Sequence, residues 1–160
     1  MTLLESLRRD LYRALEMLAI MRPNKLYETA YNLLGMDVSP QDNAPDELGC
    51  VESLSKIIQK AYPELNFPLL LSTRELYAHL LHSITFQEVD SPVVGDIILS
   101  VTGTGNGSVK NGHTGIVGKH WIMSNDSRNG MWTANYTLDG WKNYFEKRGG
   151  MATHFYRYVG

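Results

Sequence analysis

The sequence has few of the features that define several large classes of protein. Only one of its 160 residues, Cys50, is a cysteine. The chain can therefore form no internal disulfide bond and no zinc site built from several thiolates. No apolar stretch approaches the roughly 20 residues that a membrane-spanning helix needs. We therefore expect no stable membrane insertion, and we expect Cys50 to act either as a buried hydrophobe or as a thiol.

The chain also lacks an excess of positive charge. Its formal net charge is −2, which gives no basic field to attract nucleic acid, and we expect no nucleic-acid partner. Charged residues such as Glu5, Arg8 and Asp10 interrupt the apolar run that a secretory signal requires. The sequence thus predicts synthesis in the cytoplasm without a signal peptide. Any target outside the cytoplasm would be reached only after export by another factor.

The composition is that of one globular domain with a helical extension. Hydrophobic residues make up 43% of the chain and charged residues 20%, which argues against intrinsic disorder. Leucines spaced three and four residues apart predict an amphipathic helix over residues 2–21. We assign residues 1–35 to an N-terminal helical arm and residues 36–160 to the main domain. The arm could pack on the domain, bind a partner or form an oligomer contact, and the oligomeric state is not predicted.

Helical patterns fill the first half of the chain and strand patterns fill the second. Helices are predicted over residues 24–34, 50–61 and 72–83, and strands over residues 93–101, 113–118, 120–124 and 152–159, with one further helix over residues 136–148. This order predicts an α+β fold, with N-terminal helices packed on a mostly antiparallel sheet.

Cys50 is the first candidate for chemistry. It follows Gly49 and precedes an apolar helical run, so it lies at a helix N-terminus. The helix dipole and free N–H groups there are expected to stabilise a thiolate and lower the pKa of the thiol. The Cys50 N–H could also donate to an oxyanion. The alternative is a small buried hydrophobe, which is what most lone cysteines are.

His113 is the second candidate. It follows Gly112 and begins a strand that the apolar pair Ile116 and Val117 would anchor. A histidine at a strand start beside a helix N-terminus is what a Cys–His pair requires. A third polar group must then orient the imidazole, and Ser124, Asn125 and Asp126 end the next strand.

Other motifs favour structural roles. The loop Gly103–Gly107 is followed by a strand pattern rather than a helix, which argues against phosphate binding. His79 and His82 share a helix face but have no third ligand at metal-binding spacing. We therefore expect no metal and no cofactor.

Three segments together carry a family resemblance. They are Gly49-Cys50-Val51-Glu52-Ser53, Pro92-Val93-Val94-Gly95-Asp96-Ile97-Ile98 and Gly112-His113-Thr114-Gly115-Ile116-Val117. Their order resembles the NlpC/P60 and CHAP group of papain-like cysteine peptidases and amidases. The tail, from Ser124 to Arg157, is similar to small phage-encoded peptidoglycan hydrolases of this type. The resemblance covers about residues 36–158.

The resemblance implies a catalytic domain with Cys50 as nucleophile and His113 as base. It leaves the third position to Asn125, which we favour as the orienting residue, with Asp126 as the runner-up. Trp121 and Asp126 are the residues we expect to contact substrate. The implied function is a phage lysin-like peptidoglycan hydrolase that cleaves an amide bond. The alternatives are a toxin-type amidase or deamidase on another substrate, and a non-catalytic virion, assembly or wall-binding module.

Overall fold

The computed structural model describes residues 2–21, 24–40 and 48–160. The helices are α1 (Leu3–Met21), α2 (Lys25–Asn32), α3 (Cys50–Ala61), α4 (Thr73–Leu81) and α5 (Leu138–Trp141), and α5 continues into a π-helical segment, Lys142–Arg148. The strands are β1 (Phe86–Glu88), β2 (Ile97–Ser100), β3 (His113–Val117), β4 (Ile122–Asn125), β5 (Trp132–Tyr136) and β6 (His154–Tyr158).

Short polar side chains begin several of these helices. The Ser72 hydroxyl accepts from the N–H of Glu75, and the Glu75 carboxylate accepts from the N–H of Ser72, which completes a capping box at α4. Asn24 caps α2 by accepting from the N–H of Tyr27 at 2.9 Å. The predicted helices over residues 24–34, 50–61 and 72–83 are thus confirmed, with small shifts at the ends of the first and last.

The predicted N-terminal helix is confirmed as α1, but its described leucines are not buried. Leu4, Leu7 and Leu11 are 67%, 57% and 60% exposed. The side chains of residues 15, 16 and 18–21 lie outside the described part of the helix. None of the helices that the structure describes combines the length and apolar character needed to cross a bilayer.

The strands form one six-stranded sheet in the order β1-β6-β2-β3-β4-β5, and every neighbouring pair is antiparallel. The α+β prediction is therefore confirmed. Two strands, β1 and β5, were not expected from the sequence. The predicted helix over residues 136–148 was also wrong at its start, because Tyr136 ends β5. Thr137 caps α5 by accepting from the N–H of Gly140 at 2.9 Å, so the helix begins only after Thr137.

The two faces of the sheet pack against different helices. On one face, α2, α3 and α4 cover a first core that includes Leu54, Ile116 and Met123. On the other, α5 and the π-helical segment contribute Trp141 and Phe145 to a second core. Neighbouring strand residues point to opposite faces, so one short strand supplies both cores.

An ion pair marks the start of β2. The Asp96 carboxylate accepts from Nε and Nη2 of Arg157 at 3.0 and 2.8 Å and from the N–H of Val93 at 2.7 Å. Asp96 is 1% exposed. The residues before it form a turn, with Gly95 at φ 93°, so the strand predicted over residues 93–101 begins only at Ile97. Asp96 therefore ties β2 to β6.

The glycine-rich loop is held against the end of the π-helical segment. Asn106 Nδ2 and Ser108 Oγ both donate to the Arg148 carbonyl, at 2.9 and 2.6 Å. Strand β3 follows this loop, as the sequence predicts. These hydrogen bonds attach the β2–β3 connection to the segment that carries Phe145.

Candidate active site

The Cys50 thiol lies at the first residue of α3, where the sequence predicts it. It is 7% exposed. The backbone N–H groups of Cys50, Val51 and Thr114 point at the thiol. The Thr114 N–H belongs to the peptide bond that joins Thr114 to His113. The fold therefore brings Cys50 against the start of β3, next to the backbone of the predicted base.

The expected low pKa of this thiol is wrong. Burial raises the pKa of Cys50 from 9.0 to about 11, and the three N–H groups offset only part of that increase. Removing the thiol from water disfavours the charged thiolate more than the helix N-terminus favours it. Cys50 is therefore a neutral thiol at neutral pH.

His113 is surrounded by aromatic rings. Its imidazole stacks on Trp141, with ring centroids 5.4 Å apart and an interplanar angle of 24°, and on Phe145 at 6.0 Å and 19°. Burial lowers the pKa of His113 to about 4, although the Asp126 carboxylate acts in the opposite direction. The imidazole is therefore neutral at pH 7, which is the form that can accept a proton.

A short chain of hydrogen bonds leads away from His113. Its Nε2 lies 2.9 Å from Ser124 Oγ, and that hydroxyl donates to Asn135 Oδ1 at 2.6 Å. Ser124 is fully buried. Asn135 was missed by the sequence analysis because it lies in β5, a strand that the pattern did not reveal.

The orienting role of Asn125 stays a prediction. Strand alternation turns Asn125 away from Ser124 and towards α3, where its Oδ1 accepts from Ser53 Oγ at 3.3 Å. Asp126, the runner-up, accepts from the backbone N–H, Nε and Nη2 of Arg128, at 2.9, 3.1 and 2.8 Å. These hydrogen bonds from Arg128 hold the pKa of Asp126 below its usual value. Asp126 thus acts on His113 through its charge.

Trp121 lies at the other end of the β3–β4 hairpin from His113 and Ser124. It is 51% exposed, in the turn between β3 and β4. His113 is at the opposite end of that hairpin, about 17 Å away at the usual rise of a strand, because Trp121 lies opposite Gly118. Contact of Trp121 with substrate stays a prediction, and a groove that includes both residues must follow the length of the hairpin.

Tyr136 packs beside His113. Its ring centroid is 5.8 Å from that of His113. Burial raises the pKa of Tyr136, and the charges of Tyr144, Asp126 and, least of all, Cys50 raise it further. Among the residues that the structure describes, the imidazole hydrogen-bonds to Ser124 and no hydrogen bond joins it to the thiol. The thiol belongs to the first core, whereas the imidazole packs on Trp141 in the second.

The described residues offer no group of three or more His, Cys, Asp or Glu side chains placed to hold a metal ion. The chemistry that the Cys50 and His113 side chains can support is proton transfer between a neutral thiol and a neutral imidazole, with backbone N–H groups beside the sulfur.

Comparison with known proteins finds solved structures of similar fold, one of which is described here. It is a chain of the type VI native effector–immunity complex Tae3–Tai3 from Ralstonia pickettii, with a TM-score of 0.48 and 24% sequence identity. The match covers 84% of this chain and 97% of that chain. No family model and no curated protein matches the sequence.

Proposed function

We propose that the chain is a cysteine hydrolase that cleaves an amide bond of bacterial peptidoglycan, with Cys50 as the nucleophile and His113 as the general base. The observation that carries the proposal is the position of the thiol at the start of α3, against the N–H that follows His113. The peptidoglycan substrate rests on the NlpC/P60-like order of the Cys50, Asp96 and His113 segments.

The two neutral groups define the first chemical step. His113 accepts the thiol proton as Cys50 Sγ attacks the amide carbonyl, so no thiolate has to persist beforehand. This step requires the proton to pass from Cys50 Sγ to the imidazole, directly or through one bridging water. The N–H groups of Cys50 and Thr114 are the candidate donors to the oxyanion. His113 then gives its proton to the leaving amine, and water releases the acyl group.

The decisive experiment replaces Cys50 and measures hydrolysis of purified sacculi. Cys50→Ala is expected to lower the rate by more than about 1,000-fold, since the nucleophile is lost. Ser55→Ala is the matched control, because it removes a buried hydroxyl from the same helix. That hydroxyl donates to the Val51 carbonyl at 2.8 Å and accepts from Leu70. The control is expected to lose about 1 kcal/mol of stability and to keep its activity. Full activity of Cys50→Ala would disprove the proposal.

A second candidate function is a binding module with an inert thiol. One observation favours it: the thiol is buried in the first core and makes no hydrogen bond to His113 among the described residues. In that case sacculi would bind the protein but would not be cleaved.

A toxin-type amidase or deamidase would instead act on protein substrates and leave sacculi intact. The phage lysin-like role stays a prediction, and the same assays separate these three outcomes.

A further inference from the structure

The hydrogen-bond chain behind His113 has a direction that its distances reveal. The 2.6 Å contact between Ser124 and Asn135 is short, as O–H···O bonds are, whereas N–H···O bonds are usually about 2.9 Å long. The Ser124 hydroxyl therefore donates to the Asn135 carbonyl oxygen. A hydroxyl has a single hydrogen, so at the imidazole Ser124 can only accept.

From this direction we infer that Ser124 and Asn135 are positioning residues that hold neutral His113 in the tautomer with its proton on Nε2, which leaves Nδ1 as the basic nitrogen. The 2.9 Å separation between His113 Nε2 and Ser124 Oγ suits an N–H donor. The catalytic consequence rests on the proposed function, because Nδ1 is then the atom that takes the proton of Cys50. The assignment of the proton itself is independent of any reaction.

A β-bulge places Asn135 for this role. In the β4–β5 pairing, Ile122 lies opposite Tyr136 and Met123 lies opposite Ala134, so Asn135 is the extra residue. In a regular strand, Asn135 and Tyr136 would point to opposite faces. An extra residue lets both point to one face, which is why bulges redirect side chains beside functional sites. Asn135 thus reaches Ser124 while Tyr136 contacts His113.

Burial makes the hydrogen-bond chain favour one tautomer of His113. Ser124 is fully buried, and His113 lies against the rings of Trp141 and Phe145. Reversing the tautomer would require the Asn135 amide to turn over and donate through its nitrogen. That change would replace a short O–H···O contact with an N–H donor at 2.6 Å, which is closer than such donors usually approach. The carbonyl of Asn135 therefore sets the direction of both hydrogen bonds.

Nitrogen NMR on the full chain tests the inference without a substrate. The chain has five histidines, and His113→Gln identifies the His113 signals in long-range proton–nitrogen spectra of protein labelled with ¹⁵N-histidine. At pH 7 we expect a protonated Nε2 and an unprotonated Nδ1. Asn135→Leu and Ser124→Ala should each abolish this single tautomer, whereas Asn135→Asp, which keeps an acceptor for Ser124, should preserve it. Thr133→Val is the matched control from the same strand, and it should leave the His113 spectrum unchanged.

The kinetics on sacculi give a second readout. Asn135→Leu should lower kcat about 10- to 100-fold with little change in KM, and Asn135→Asp should restore most of the loss. A wild-type spectrum with the proton on Nδ1 would overturn the inference, as would an unchanged tautomer in both Asn135→Leu and Ser124→Ala. Because the spectra need no activity, an inactive wild type would reject the proposed function and leave the tautomer result standing.

Discussion

The two ends of the β2–β3 pair treat ionisable side chains in opposite ways. At one end, the buried Asp96 carboxylate is matched by Arg157 through two hydrogen bonds and is further held by the Val93 N–H. At the other end, Cys50 is buried and His113 is half-buried, among the described residues neither forms an ion pair, and both are neutral although the Asp126 charge acts on His113. The first end stabilises a charge and the second prevents one.

This contrast distinguishes the Asp96 segment, whose role is structural, from the Cys50 and His113 segments, which are the candidates for chemistry. A charge fixed by bidentate hydrogen bonds cannot easily transfer a proton, so the Asp96 segment ties strands together. Groups whose burial keeps them neutral can exchange a proton more readily, and displaced pKa values are typical of functional sites. The three predictions below test the two ends separately.

The largest change is expected at the ion pair. Arg157→Met leaves the Asp96 carboxylate buried without its cation, and it should lower the free energy of unfolding by about 3–5 kcal/mol. Chemical denaturation at pH 7 measures the change. Asp90→Asn is the control, because Asp90 is exposed, and it should change stability by less than about 0.5 kcal/mol. A loss below about 1 kcal/mol in Arg157→Met would show that the pair is not structural.

The second prediction concerns His113 and acid. Its folded pKa of about 4 is below the ordinary value of 6.5, so the unfolded chain binds more protons between these pH values. Stability therefore falls as pH decreases from 6.5 towards 4, by as much as roughly 3 kcal/mol from this group. Denaturation curves at pH 7 and pH 4.5 should show a smaller decrease for His113→Gln than for the wild type. His120→Gln, which alters an exposed histidine, should match the wild type, and an equal decrease in all three proteins would contradict the prediction.

The third and smallest effect concerns the reactivity of the thiol. A pKa of about 11 in place of 9.0 lowers the thiolate fraction at pH 7 about 100-fold. Iodoacetamide should therefore alkylate the folded protein at least about 100-fold more slowly than the protein in urea. The signal belongs to Cys50 alone, because the chain has no other cysteine. Alkylation of the folded protein as fast as in urea would show that burial does not protect the thiol.

Local patterns predicted the helices around Cys50 and Ser72, because caps and apolar spacing act within one turn. The same reasoning located Cys50 and the start of β3 at His113. It did not find Asn135, since the role of that residue depends on a bulge in the pairing of β4 with β5. It also misjudged the thiol pKa, because the burial that raises it comes from strands distant in sequence. The role of Asn135 and the pKa of Cys50 therefore depend on long-range packing, which local sequence patterns do not reveal.

The buried thiol has a consequence for the chemical lifetime of the protein. Oxidation of cysteine to sulfenic acid follows thiolate content and exposure, and Cys50 has little of either. With no second cysteine in the chain, no internal disulfide can trap it. In oxidising surroundings the sulfur would therefore remain reduced.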